Sequence, residues 1–294
     1  MKKLIRFGVW TFFGQIANRI KTFADPIILN QLAGPFQVTI FYIGSLVPKQ
    51  LYGIGQHATQ TILPGLTAMY ETSQYQRLTR TYIRYGRISL WIFLMVATPL
   101  IVLRNEIVTL YAGSTYQSAA IILLLLLLAE GLQQAIIAVQ SFAYATANMR
   151  TFSLMALGFQ LLNLGLTFLL VYAYDMGALG AAVATITIRI LLEFPIFSLF
   201  GARLLKVRYY IWIRGALLRG LTPTVCAVAG LWALRAVWLP VRWLEIFAHA
   251  AVCTVVYLTI VIFISPNSEN RKDLLRLMLW IKETYKSIFV QHRV

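Results

Sequence analysis

Six ionisable residues stand inside stretches that are otherwise apolar: Arg19, Lys21, Lys49, Glu130, Arg189 and Glu193, with Asp25 close behind the first two. The chemistry these types offer is electrostatic recognition. Arg and Lys are the natural partners of phosphate and carboxylate. An ionisable group at the centre of a bilayer costs at least ~2.5–3.5 kcal/mol to insert, so each marks a functional position by default.

Arg19 and Lys21 lie in GQIANRIKT, where Gln15, Asn18, Arg19 and Thr22 recur at three- and four-residue intervals. That spacing draws a polar stripe along one helix, as expected of a wall of a hydrated cavity. Lys21 and Asp25 are four apart and can also pair with each other. Lys49 comes directly after Pro48, which frees a backbone carbonyl and kinks its helix, and Gln56, His57 and Gln60 keep one side of that segment polar. His57 alone reads as a packing histidine. Glu130, in AEGLQQ, either neutralises Arg19 or Lys49 across a cavity or carries a coupling proton. Arg189 and Glu193 are four apart and read as a self-neutralising pair. Taken together, the cations outnumber the acids by about one, which suits an anionic substrate.

The elements that must hold these groups are read from composition. Of 294 residues, 59% are hydrophobic and 12% are charged, against roughly 25% charged in soluble domains. Mean hydropathy is +0.72. Apolar stretches fall at 7–29, 36–66, 87–103, 117–145, 152–172, 179–200, 211–238 and 243–264. Backbone polar groups must be satisfied internally at membrane depth, so each stretch is expected to be a helix. The expected fold is therefore an all-α integral membrane protein with about eight transmembrane helices. Arg19 and Lys21 then lie roughly 18 and 21 Å along the first of them, at 1.5 Å per residue.

With the N-terminus on the cytoplasmic side, 19 Lys and Arg fall inside and only Arg104, Arg235 and Arg242 fall outside. This bias sets the expected orientation, with both termini cytoplasmic. It also accounts for the net charge of +16 without nucleic acid. Residues 267–294 interleave basic and apolar side chains and read as an amphipathic helix on the cytoplasmic leaflet. Cys226 and Cys253 read as small buried hydrophobes. His57, His249 and His292 have no metal-ligand spacing, and no phosphate-binding glycine loop or nucleophile set is visible, so neither an enzyme nor a cofactor is expected. GALGAAVAT at 177–185 supplies small residues for close helix packing.

Several motifs carry a family resemblance. TFADPIILNQLAGPFQVTIFY, ILPGLTAMYETSQYQRL, LYAGSTYQSAAIILLLLLLAE, FAYATANMR and NLGLTFLLVYAYDMGALGAAVATITIRI together resemble the C-terminal half of lipid-linked oligosaccharide (O-antigen) flippases. These belong to the multidrug, oligosaccharidyl-lipid and polysaccharide exporter superfamily. Asp25, Gly34, Pro64, the 111–116 loop, Asn163 and Gly177 to Ala182 carry the match.

The resemblance implies alternating access between two six-helix lobes in the cell inner membrane. Residues 1–203 would form one such lobe, 204–266 two additional helices and 267–294 the tail. Arg19, Lys21, Lys49, Glu130 and Arg189 would face the substrate, a lipid-linked anionic oligosaccharide. A second lobe, from another copy or another chain, would complete the path, unless this sequence is part of a longer protein. Two other readings stay open: a small-molecule exporter of the same superfamily, for which an acidic cavity is expected, and a non-transporting scaffold of a polysaccharide assembly complex.

Overall fold

The computed structural model describes the backbone of residues 2–264, with the side chains of all but 2–7, 21, 22, 58, 60, 61, 263 and 264. The described residues are helical, with no strand among them. The expected tail helix at 267–294 lies outside the described residues.

Among the described residues twelve α-helices run in order: α1 (Lys2–Leu32), α2 (Pro35–Glu71), α3 (Tyr75–Val102), α4 (Arg104–Ala112), α5 (Ala119–Ile136), α6 (Val139–Ala145), α7 (Met149–Tyr172), α8 (Gly177–Ile188), α9 (Phe194–Leu204), α10 (Tyr209–Trp212), α11 (Arg219–Val237) and α12 (Trp243–Ile264). Some of these are stacked end to end, so α5–α6, α8–α9 and α10–α11 each form one long rod. The last two of these rods contain π-helical segments at Arg189–Glu193 and Ile213–Leu218.

Six rods are long and apolar enough to cross a membrane: Tyr75–Val102, Ala119–Ala145, Met149–Tyr172, Gly177–Leu204, Tyr209–Val237 and Trp243–Ile262. This makes the chain a multi-pass membrane protein. The remaining two of the eight expected spans, α1 and α2, are helices of 31 and 37 residues but are not among the six. Their polar residues lower the hydropathy, and they include Arg19, Lys21 and Lys49. Length alone therefore does not separate them from the others; side-chain polarity does.

Local chemistry sets the corners. Between α1 and α2 the chain turns at Gly34, whose φ of +84° suits glycine, and Pro35 then opens α2. The N-terminus of α8 is fastened when the backbone N–H of Ala178 donates to Gln37 Oε1 at 3.0 Å. α5 runs through the middle of the bundle against α2, α3 and α8. Gly86 lets α3 approach it so closely that a Cβ there would lie 2.7 Å from the Ala135 carbonyl oxygen.

The final helices dock on α3 through backbone groups that they cannot satisfy themselves. Pro223 has no N–H, so the carbonyl of Arg219 loses its helical partner. Trp91 Nε1–H donates to that oxygen at 3.2 Å. One turn earlier, Arg87 Nη1 donates to the carbonyl of Gly215, inside the π segment, at 3.3 Å. At the far end Arg235 pairs with Glu106. The matching offsets show α3 and α11 running parallel. The α11–α12 corner is closed by His249, fully buried, whose ring nitrogens sit 2.8 Å from the Glu245 carbonyl and 2.9 Å from that of Trp238. Cys253 is buried as expected, whereas Cys226 is exposed, because it falls on the outward side of α11.

Candidate functional site

A cavity of about 210 Å³ opens where α1, α2, α5, α7 and α8 converge, and it collects most of the charge inside the bundle. Its back wall is a buried triad. Arg189, 2% exposed, places Nη1 2.9 Å from Glu130 Oε2 and Nε 3.2 Å from Glu193 Oε2. Nη1 also donates to the Ala129 carbonyl at 3.4 Å. The π-helical turn that runs from Arg189 to Glu193 widens the helix here, and such turns recur at functional positions. One guanidinium between two carboxylates leaves the triad with a formal charge of −1.

The front wall belongs to α1 and α2. Asp25 is buried, and its Oδ1 accepts from Thr167 Oγ1 of α7 at 3.2 Å. Lys49 is exposed at the mouth; its ammonium lies 5.6 Å from the centre of the Phe41 ring and is attracted by both Asp25 and Glu130. A buried amide oxygen adds unmet polarity: Asn163 Oδ1 faces this cavity without a hydrogen-bond partner among the described residues.

A second cavity of about 60 Å³ continues from the first, sharing Asn18, Tyr52, Gln160 and Glu193. It proceeds past Gln56, Gln133 and Gln140 toward the end where α6 meets α7, the end richer in basic residues. The first cavity thus carries the carboxylates, and the second adds neutral amides beside them.

Of the expected site residues, Lys49, Glu130 and Arg189 line this cavity together. The Arg189–Glu193 pairing is present, but it is opened to a third member. Glu130 makes its ion pair with Arg189 rather than with Arg19. The side chain of Lys21 lies outside the described residues. Arg19 is exposed and lines neither cavity, while its neighbour Asn18 lines both. Successive helical residues are rotated by about 100°, so only one of the two can point inward. The cavity lining consequently holds two cations and three carboxylates, the reverse of the expected positive balance.

Tyr52, Gln160, Asn163 and Thr185 also line it without having been expected there. One signal for part of this set is present in the sequence. Gln160, Asn163 and Thr167 are spaced three and four apart in an apolar segment, which puts them on one face of α7.

The class defined by this arrangement is a multi-pass membrane protein with a charged, partly buried cavity between its helices. No protein-family model, no curated protein and no solved structure matches the chain.

Proposed function

We propose that this protein is a transporter lobe that translocates a lipid-linked anionic oligosaccharide by alternating access across the inner membrane, with both termini cytoplasmic. One observation carries the reading. Midway along α1 and α2 the exposed charges are cations, Arg19 and Lys49, whereas the carboxylates Asp25, Glu130 and Glu193 are buried. A substrate that approaches either helix from its exposed side meets positive charge first, flanked by exposed Gln15 and Asn18 on α1 and by Gln50 and His57 on α2. Such a face is costly against lipid and favourable against water and phosphate. A second lobe, from another copy or another chain, would enclose it as an aqueous path.

The test is reconstitution in liposomes with a diphosphate-linked oligosaccharide. Replacing Arg19 or Lys49 with Ala is expected to slow translocation by about tenfold or more, the loss of roughly one charge-assisted phosphate contact. The variants should remain in the membrane at wild-type levels. Undiminished translocation overturns the assignment. The native mass of the complex isolated in lipid nanodiscs should correspond to two lobes.

A second reading, export of a small cation, draws support from the three carboxylates in the cavity lining against two cations. Under that reading Glu193→Gln, rather than Lys49→Ala, gives the larger loss of transport.

A further inference from the structure

A separate cavity of about 380 Å³ lies at the opposite side of α2, between α2, α3, α4, α5 and α12, and shares no lining residue with the charged cavity. Its volume falls within the ~300–1,000 Å³ of ordinary ligand sites. Its walls are hydrocarbon: Val47, Met95, Leu100, Leu123 and Ile246 are representative. The hydroxyl of Thr254 is turned back onto the Ala250 carbonyl at 2.8 Å, which leaves its methyl for the slot. Water gains nothing there, because a water needs two or more polar partners. The mouth is flanked by Val96, Tyr111, Trp243 and Phe247, which are 39%, 58%, 41% and 66% exposed, so the slot opens onto the surrounding bilayer.

The polar rim is the second observation. This end of the bundle, where α3 and α11 finish and α12 begins, is poor in basic residues. Its three are Arg104 at the start of α4, Arg235 in the last turn of α11 and Arg242 just before α12. Arg104 comes directly after the lining residue Leu103, and Arg242 directly precedes Trp243. Arg235 is committed to Glu106. Arg242 is exposed, and Arg104 spends one of its five N–H donors on the Ile101 carbonyl. Leu103 and Trp243 both line the slot, so the backbones at Arg104 and Arg242 lie at its rim.

We propose that this slot holds one chain of an anionic phospholipid from the leaflet at that end, with the phosphate between Arg104 and Arg242. The site is independent of the transport reading. It makes the α3–α4–α12 corner a lipid-recognition element in which the chain fills the slot and the head group selects the lipid.

Native mass spectrometry of the full chain, titrated with phosphatidylglycerol or phosphatidylcholine of identical chains, tests this. The wild type is expected to retain one phosphatidylglycerol per chain with about tenfold preference over phosphatidylcholine, since each Arg near a phosphate surface adds attraction. R104Q/R242Q, confined to the rim, should bring the preference to about one while still retaining lipid. Val96→Trp, at the half-exposed mouth, should lower retention of both lipids without disturbing the core. Equal retention of the two lipids by the wild type overturns the proposal. So does a preference that survives R104Q/R242Q, undiminished retention in Val96→Trp, or a lipid-free dimer.

Discussion

Arg189 and Arg19 are both arginines in the middle of long helices, and the protein treats them in opposite ways. Arg189 is closed in by Glu130 and Glu193, within a π-helical turn and beneath packed helices. Arg19 stands exposed on α1 and lines neither cavity. The first arrangement belongs to architecture: burying a guanidinium demands carboxylates at short range, and once paired it has little left to offer a ligand. The second has no carboxylate closing it in, and under the proposed function, in which α1 crosses the membrane, its energetic cost is offset only when something polar comes to it. Burial of charge and availability of charge are thus separated within one bundle, even along α1, where Asp25 is buried and Arg19 exposed. Lys49, exposed at the mouth yet attracted by Asp25 and Glu130, sits on the boundary between them.

The contrast is broken most severely from the closed side. Arg189→Ala leaves two buried carboxylates facing each other without a cation, and a loss of about 3–5 kcal/mol in stability is expected. Thermal unfolding in nanodiscs should register it as a large drop in Tm; an unchanged Tm means that the triad is not structural. Glu130→Gln is milder, because Arg189 keeps Glu193 and the local charge becomes neutral. About 1.5–3 kcal/mol is expected in the same measurement, the range of a hydrogen bond to a charged group. On the open side, Arg19→Gln and Lys49→Gln should move stability by no more than about 0.5 kcal/mol, as exposed positions do. If either destabilises as much as Arg189→Ala, the division between buried and available charge is wrong.

The division is only half legible in the sequence. Helix positions are set by apolar length, and the Arg189–Glu193 pair by a four-residue spacing, because both are local properties. The contact between the Glu130 turn and Arg189 spans 60 residues and the Asp25–Thr167 hydrogen bond spans 142. Contacts that distant depend on which helices become neighbours, and no local periodicity encodes that choice. The spacing of the stripe on α1 marks it as polar, but its rotation about the helix axis is set by packing against α7. Asn18 therefore lines the cavity where Arg19 was expected to. The net charge of a cavity is especially sensitive to this, since one residue of rotation exchanges which groups are counted.

The widened turn at Arg189–Glu193 has a consequence for the tolerance of this rod to insertion and deletion. A π-helical turn is equivalent to one extra residue accommodated within a turn of α-helix, so α9 keeps the phase it would have without that residue. Removing a single residue there would let the turn close to a regular helix with α9 unrotated, whereas removing one from a regular turn of α8 would rotate everything after it by about 100°. Gly201, which meets Tyr82, and Phe197, stacked on Phe152, would keep their neighbours in the first case and leave them in the second. The π-helical turn is therefore the place in this rod where a change of length does least damage.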